Sequence, residues 1–278
     1  MISKAKRDNL PTIGSALGTL AARECRRLLR ALGMRKQRQE GIHEARKSCR
    51  RLRSILPLLP PGRPIDTADH GLQELARSLG PMRDAYIAAR TAKLLATAHA
   101  RSVTPEVLAA LEQRCEQMID AALKQDPHWR HRRAEAQRIT AAIQALPWQD
   151  IRPSSARQTL KRSKRRVKKA HKKGLALRTP PASHRWRRRA RKLRYQFDFV
   201  RKARRMAGMK KARTQRYGDQ AKHLSTLTDQ LGWRQDFQIF LGAVEALPDS
   251  AKVLALRREL KSKSANWSKA EPSASCTQ

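Results

Sequence analysis

Two segments of the chain, residues 42–53 and 183–194, carry a histidine followed by arginines and lysines at matching positions. Side chains three or four residues apart share one side of an α-helix, about 5.4 Å apart along its axis. Each segment would therefore present a column of cations. Guanidinium groups bind phosphate oxygens through paired hydrogen bonds, and lysine adds a mobile point charge. The spacing predicts two helices that bind a phosphate-rich anion.

The polar positions of the two segments correspond one to one. They are His43, Arg46, Lys47, Arg50, Arg51 and Arg53 in the first and His184, Arg187, Arg188, Arg191, Lys192 and Arg194 in the second. The apolar positions also repeat, as a stripe of period 3.6 that we expect to be buried: Ile42, Ala45, Cys49, Leu52, Leu56 and Leu59, and then Trp186, Ala190, Leu193, Phe197 and Val200. Burial of the stripe would hold the cations on an adjacent face.

The histidines allow two interpretations. His43 and His184 stand near the predicted helix starts, where each could make a local hydrogen bond or donate to a phosphate. A neighbouring polyanion would favour the imidazolium and raise its pKa. We therefore expect tighter binding at mildly acidic pH if the second interpretation holds.

A second pair of matching elements reads Leu-Gly-x-x-x-Asp, at residues 79–84 and 231–236. Gly80 and Gly232 could break or bend a helix, or permit close packing. Asp84 and Asp236 could cap a turn or pair with an arginine. A supporting role is favoured over catalysis, because an acid in so basic a field tends to orient a guanidinium.

The densest basic run precedes the second histidine segment, and no Asp or Glu occurs between Asp150 and Asp198. A basic run of this kind usually faces water. Because the His and Arg spacing occurs twice, we expect this basic helix face to line the ligand site. Its predicted ligand-binding residues are Arg157, Lys161, Lys164, Arg165, Lys168, Lys169 and Lys172. Ala156, Leu160, Val167 and Ala170 form the opposite, apolar stripe.

The elements that must position these residues are helices. Glycine and proline fall between long segments of period 3.6, and alternating β-branched runs are absent, which predicts an all-α fold. Helices are expected over residues 12–34, 41–59, 155–173, 210–231, 233–247 and 250–262. Others should begin after Thr104 and at Ser183. Asp66, Ser154 and Asp249 are candidate N-terminal caps.

The predicted organisation has four parts. They are a flexible arm over residues 1–11, a first helical repeat over 12–150, a second over 151–262 and a disordered tail over 263–278. The four cysteines form no Cys-x-x-Cys pair, so we expect reduced thiols, with Cys49 and Cys115 in the core. No signal peptide or membrane-spanning run is evident, which favours a cytoplasmic protein without a membrane partner.

Composition narrows the partner to a polyanion. The chain has 62 Lys and Arg against 23 Asp and Glu, a formal net charge of +39. Nonspecific nucleic-acid binding is the first alternative, but aromatic residues make up only 4% of the chain, which is poor material for stacking bases. A phosphate-processing enzyme is the second. The chain has no Gly-rich phosphate loop and no cluster of acids for a metal, so we predict no catalytic residues, metal or cofactor.

The paired His-x-x-Arg-x-x-x-Arg-x-x-Arg pattern, followed in both halves by Leu-Gly-x-x-x-Asp, resembles the CHAD (conserved histidine α-helical domain) family over residues 12–260. The resemblance implies two four-helix bundles related by pseudo-two-fold symmetry around a basic central cavity that holds inorganic polyphosphate. It also implies association with polyphosphate granules. Ala45, Trp186 and Gln235 depart from the usual pattern. The sequence leaves the oligomeric state and the preferred polyphosphate length open.

Overall fold

The computed structural model describes residues 10–97 and 103–267, and within these ranges the chain is helical with no β-strand. The all-α prediction is confirmed. The ten α-helices of the described ranges are α1 (Ile13–Gly33), α2 (Arg38–Ile55), α3 (Arg63–Ser78), α4 (Gly80–Thr97), α5 (Pro105–Gln125), α6 (Arg130–Gln144), α7 (Pro153–Leu177), α8 (Pro180–Met206), α9 (Lys211–Glu245) and α10 (Ala251–Trp267). Three short 3-10 helices connect them, at Leu56–Leu58, Pro127–Trp129 and Trp148–Asp150.

Helices α5, α7 and α8 each have a proline as their first residue. Helices α7 and α8 begin at Pro153 and Pro180, so the predicted starts at Ser155 and Ser183 were two and three residues late. Proline suits the first helical position because its φ is preset and its missing N–H would have had no helical partner there. The serines that follow lie inside the first turn.

All three predicted caps were wrong. Ser154 is the second residue of α7, whose cap position is held by Arg152. Helix α3 begins at Arg63 with Gly62 before it, so Asp66 lies in the first turn. At α10 the cap is Ser250, whose Oγ accepts a hydrogen bond from the Val253 N–H at 3.2 Å. Asp249 instead accepts a hydrogen bond from Arg257 Nη1 at 2.6 Å. A competing guanidinium thus takes the carboxylate away from the helix terminus.

Helix α9 is continuous for 35 residues, whereas the sequence predicted a break near Gly232. The corresponding place in the first half does break, because α3 ends at Ser78 and α4 begins at Gly80. Pro81 explains the difference, since a proline ring clashes with the carbonyl four residues earlier. The second half has Trp233 at that position. A single glycine costs a helix only about 1 kcal/mol, which packing of α9 against α8 and α4 can offset.

The apolar stripes are buried as predicted. Ala45, Cys49 and Leu52 are fully inaccessible, and Trp186 and Phe197 are nearly so. Cys25, Cys49 and Cys115 are buried free thiols, and burial raises the pKa of Cys49 to about 12. Cys276 lies outside the described residues. The polar faces of α2 and α8 are consequently turned away from the core in a fixed direction.

The two halves of the chain share their cores. The larger apolar cluster joins α1 and α2 to α7, α8 and α9, and the smaller joins α4 and α5 to α9 and α10. Helix α8 packs against α1 and α2 of the first half as well as α7 and α9 of its own. The division into two pseudo-symmetric bundles stays a prediction.

Parts of the predicted N-terminal arm and C-terminal tail are ordered in the structure. Leu10, within the predicted arm, lies against Gly208, and α10 continues to Trp267, past the predicted end at Ser262. The rest of the arm, residues 1–9, and the tail from 268 to 278 lie outside the described residues. None of the helices described is both long and apolar enough to cross a membrane.

Candidate anion-binding site

The cationic faces of α2 and α8 meet. Arg50 and Arg191, which occupy equivalent positions in the two segments, are electrostatic neighbours. Burial, followed by the charges of Arg50 and Arg187, lowers the pKa of Arg191 to about 9. Burial also lowers the pKa of Arg50, where Arg83 of α4 adds to the effect. We use the name central cluster for Arg46, Arg50, Arg83, Arg187, Arg191 and Tyr195.

The internal repeat recurs in the hydrogen bonds of the first arginine of each segment. Arg46 Nη1 donates to the Ala76 carbonyl oxygen of α3. Arg187 Nε donates to the Thr228 carbonyl oxygen of α9 at 3.2 Å. Both acceptors lie four residues before the glycine of the Leu-Gly-x-x-x-Asp motif. The repeat therefore includes the helices that flank α2 and α8.

The last arginines of the segments show the same correspondence. Arg53 Nη2 donates to Gln73 Oε1 at 2.7 Å, and Arg194 Nη1 donates to Ser225 Oγ at 2.8 Å. Gln73 and Ser225 occupy equivalent positions on α3 and α9. Arg53 also makes two hydrogen bonds to Asp69, at 3.0 and 2.9 Å, so its charge is partly neutralised by the protein.

The motif glycines make room for these guanidinium groups. A Cβ added at Gly232 would lie 2.6 Å from Arg187 Nη2, and one added at Gly80 would lie 3.4 Å from Arg46 Nη1. Of the two roles predicted for the glycines, close packing is therefore found at Gly232 and a helix boundary at Gly80.

The motif aspartates both hold one arginine. Arg83 Nη1 donates to Asp84 Oδ1 at 2.9 Å, and Arg83 Nη2 donates to Asp236 Oδ1 at 3.2 Å. Pairing with an arginine is thus the role that the structure shows. Gln235, which replaces an arginine in the second half, accepts a hydrogen bond from Arg187 Nη1 at 2.5 Å. The acids connect α4 to α9 across the central cluster.

Sequence reasoning missed two members of the central cluster, Arg83 and Tyr195. Burial raises the pKa of Tyr195, but the charges of Arg50, Arg194 and Arg191 outweigh it and lower the pKa. The Arg194 guanidinium lies 4.8 Å from the centre of the tyrosine ring. The only sequence signal was an aromatic residue directly after the motif. Arg83 lies inside the Leu-Gly-x-x-x-Asp motif of the first half, but the second half has Gln235 at that position, so the repeat did not point to it.

The histidines stand at the edge of the central cluster and are half-buried. Burial lowers the pKa of His43, with Arg50 as the next cause. Burial likewise lowers the pKa of His184, followed by Arg188, whereas a hydrogen bond with Gln235 raises it. The unliganded protein therefore favours the neutral imidazoles at neutral pH. Their role as phosphate donors stays a prediction.

Other predicted site residues lie outside the central cluster. Lys47 pairs with Glu44 at 2.7 Å, and Arg51 with the buried Glu24 at 3.4 Å. Lys192 faces a separate pocket. Arg188 is exposed.

The seven predicted residues of α7 are exposed, while Ala156, Leu160, Val167 and Ala170 pack onto α8. Helix α7 covers the apolar flank of α8, where His171 stacks on Trp186 with ring centroids 4.4 Å apart. A ligand role for its exposed face, formed by Arg157, Lys161, Lys164, Arg165, Lys168, Lys169 and Lys172, stays a prediction. Among the residues described, no group of three or more His, Cys, Asp or Glu is arranged to hold a metal ion.

Comparisons with known proteins agree with the architecture. The CHAD domain family model matches residues 19–245. A search of curated proteins finds no match. The crystal structure of the CHAD domain from the plant Ricinus communis superposes with a TM-score of 0.64 at 19% identity, covering 92% of this chain and 88% of that one. At this identity the likeness supports the fold, and the family match extends over both histidine segments and both Leu-Gly-x-x-x-Asp motifs, so the chain belongs to the CHAD domain family.

Proposed function

We propose that the chain binds inorganic polyphosphate at the central cluster. The observation that carries the proposal is the meeting of Arg50 and Arg191, two equivalent and largely buried arginines whose pKa values are lowered mainly by burial. Bringing like charges together out of water is unfavourable. An anion lying between α2 and α8 would reverse that cost. The resemblance extends the proposal to association with polyphosphate granules.

Unused hydrogen-bond donors support the same site. The Nε atoms of Arg46, Arg50 and Arg194 are buried and have no hydrogen-bond partner. A buried donor without an acceptor costs about 1–3 kcal/mol. Phosphate oxygens would supply the acceptors, through the short charged hydrogen bonds that arginine forms with phosphate.

The chemistry of the site favours polyphosphate over nucleic acid. Polyphosphate carries about one negative charge per phosphate and has no bases, so its receptor needs cations and no stacking surfaces. The aromatic member of the central cluster, Tyr195, is buried beneath arginines and is not available for stacking. Asp84 and Asp236 are both engaged by Arg83, which favours a binding protein over a phosphate-cleaving enzyme.

The proposal is tested with two double variants of equal charge change. R50Q/R191Q removes the centre of the cluster, and K161Q/K168Q removes two exposed lysines of α7. We expect R50Q/R191Q to weaken binding of labelled long-chain polyphosphate about a hundredfold or more, because a hydrogen bond to a charged group contributes about 1.5–3 kcal/mol. K161Q/K168Q should weaken it less than tenfold at the same ionic strength.

Two controls separate the alternatives. R50Q/R191Q should melt no lower than wild type without ligand, since it removes buried like charges, so lost binding would not reflect unfolding. Displacement of polyphosphate by tRNA or duplex DNA at equal phosphate concentration would make nucleic acid the better ligand. Release of phosphate from polyphosphate in the presence of magnesium would identify an enzyme. Equal losses in both variants would refute the central site.

A further inference from the structure

A second basic site lies apart from the central cluster. A pocket of about 310 Å³ opens between the Leu56–Leu58 turn, α3, α7 and α8. Its cationic lining comes from Arg162 and Arg166 of α7 and from Arg189 and Lys192 of α8. Only Lys192 among them belonged to the residues predicted to bind the ligand. The opposite wall is apolar and includes Leu56, Leu59 and Ile65.

The first repeat fills the equivalent place with its own carboxylate. Glu24 of α1 is 2% exposed. It accepts hydrogen bonds from Ser48 Oγ at 2.8 Å, Arg27 Nη1 at 3.1 Å and Arg51 Nη1 at 3.4 Å. The buried acid thus joins α1 to α2 and neutralises nearby cations.

The buried positions of α1 and α7 give the correspondence between the repeats. Leu17, Ala21, Leu28 and Ala31 have the same spacing as Ala156, Leu160, Val167 and Ala170, and all eight are buried. In this alignment Glu24 corresponds to Ser163 and Arg27 to Arg166. The histidine segments independently match Ser48 to Arg189 and Arg51 to Lys192. The four second-repeat counterparts, Ser163, Arg166, Arg189 and Lys192, all line the pocket.

Compared with the first repeat, the second therefore has one carboxylate fewer and one arginine more at this place. Neither Arg166 nor Arg189 has a hydrogen bond or ion pair within the described residues, although Arg162 donates to Thr159 Oγ1 at 3.0 Å. Two carboxylates also line the pocket, Asp66 and Asp69, and Asp69 is already bonded to Arg53. Burial lowers the pKa of Lys192, and Asp69 opposes that shift. Four cations therefore line the pocket against two carboxylates, which leaves an excess of positive charge.

We infer that this pocket binds a small phosphate ester, whose phosphate takes the place that Glu24 occupies in the first repeat. A phosphate with about two negative charges suits a group of arginines better than a single carboxylate does. The apolar wall accommodates a less polar body. Gln196, which also lines the pocket, has a buried Oε1 without a hydrogen-bond partner and could accept from a ligand hydroxyl or amine. The volume is at the lower end for ligand pockets, which limits the ligand to about the size of a mononucleotide.

The test restores the missing carboxylate. S163E places an acid at the position equivalent to Glu24, and Q158E makes the same charge change at an exposed position of α7. Calorimetric titration with adenosine monophosphate should show one binding site in wild type and in Q158E. We expect S163E to weaken that binding at least tenfold and to melt higher than wild type without ligand, because its carboxylate satisfies the cations internally.

Further arms distinguish this pocket from the central cluster. S163E should retain long-chain polyphosphate binding, and R50Q/R191Q should retain adenosine monophosphate binding. If R50Q/R191Q no longer binds adenosine monophosphate while S163E still binds it, the nucleotide binds at the central cluster and the inference is wrong. R189S places the residue of the first repeat, serine, at this position and should also weaken nucleotide binding. This variant tests the pocket if S163E does not fold.

The ligand class is tested with two simpler probes. Adenosine without phosphate should not bind, since the cations recognise the phosphate. Orthophosphate should bind more weakly than adenosine monophosphate, because it makes no contact with Leu56 or Ile65. Equal affinities for orthophosphate and the nucleotide would overturn the proposed apolar contact, and absence of binding by both would overturn the site.

Discussion

At the scale of single residues, we expect His43 and His184 to couple protonation to ligand binding. In the unliganded protein the pKa of each is lowered, first by burial and then by neighbouring basic residues. A polyanion at the central cluster would act in the opposite direction and favour the imidazolium. Binding should therefore take up protons as the pH falls below the ordinary histidine pKa of about 6.5.

The sign of the pH dependence follows from linkage. Below about pH 6.5 the unfolded chain binds more protons at these histidines than the folded chain does, so the free protein loses stability as the pH falls. Polyphosphate affinity should rise over the same range. Titration of affinity and melting temperature from pH 8 to 5.5 in wild type and in H43N/H184N would measure both trends.

We expect the double variant to have flatter profiles for affinity and for stability. Asparagine keeps a hydrogen-bonding side chain of similar reach but cannot become charged in this range. If the variant and wild type gain affinity equally on acidification, the histidines do not donate to the ligand and the local hydrogen-bond interpretation holds.

At the scale of elements, the contact between α8 and α9 depends on the missing side chain of Gly232. An alanine there would bring its Cβ to 2.6 Å from Arg187 Nη2. The guanidinium would have to leave its bonds to Thr228 and Gln235. Helix α9 would remain intact, because alanine is the better helix former by about 1 kcal/mol.

G232A should therefore separate binding from stability. We expect its polyphosphate affinity to fall about tenfold, the loss of roughly one hydrogen bond to a charged group, with little change in melting temperature. G242A is the matched control on the same helix, where nothing lies within 4 Å of an added Cβ. It should be more stable by about 0.5–1 kcal/mol and bind normally. A G232A protein that binds like wild type would show that the position of Arg187 does not matter.

At the scale of the whole molecule, the net charge of +39 opposes the compact state. Salt shortens the reach of that repulsion from about 30 Å at 10 mM to about 10 Å at 100 mM. The melting temperature of the free protein should rise over this range in a calorimetric or fluorescence scan. With saturating polyphosphate the trend should reverse, because salt weakens the binding of a polyanion. A free protein that melts lower in salt would show that its ion pairs outweigh the repulsion.

The sequence by itself determined the all-α fold and the direction in which the two basic helices face. Apolar residues at a 3.6-residue period must be buried, so Ala45, Cys49 and Leu52 determine how α2 is rotated, and Ala190 and Phe197 do the same for α8. The matching spacing then identified the two basic faces as equivalents. Helix ends were predicted less well, since Pro153 and Pro180 compete with nearby serines as start signals.

Only the tertiary structure decided which cations remain available to a ligand. A buried stripe determines how a helix is rotated but not which helix packs against it, and some of the carboxylates that pair with these arginines lie on other helices. Glu24 engages Arg51, and Asp69 engages Arg53, through contacts between helices. The meeting of Arg50 with Arg191, and the pocket beside Arg189, likewise depend on how the two repeats pack. Charge interactions fall off with distance, so three-dimensional proximity, and not abundance in the chain, determines the role of each basic residue.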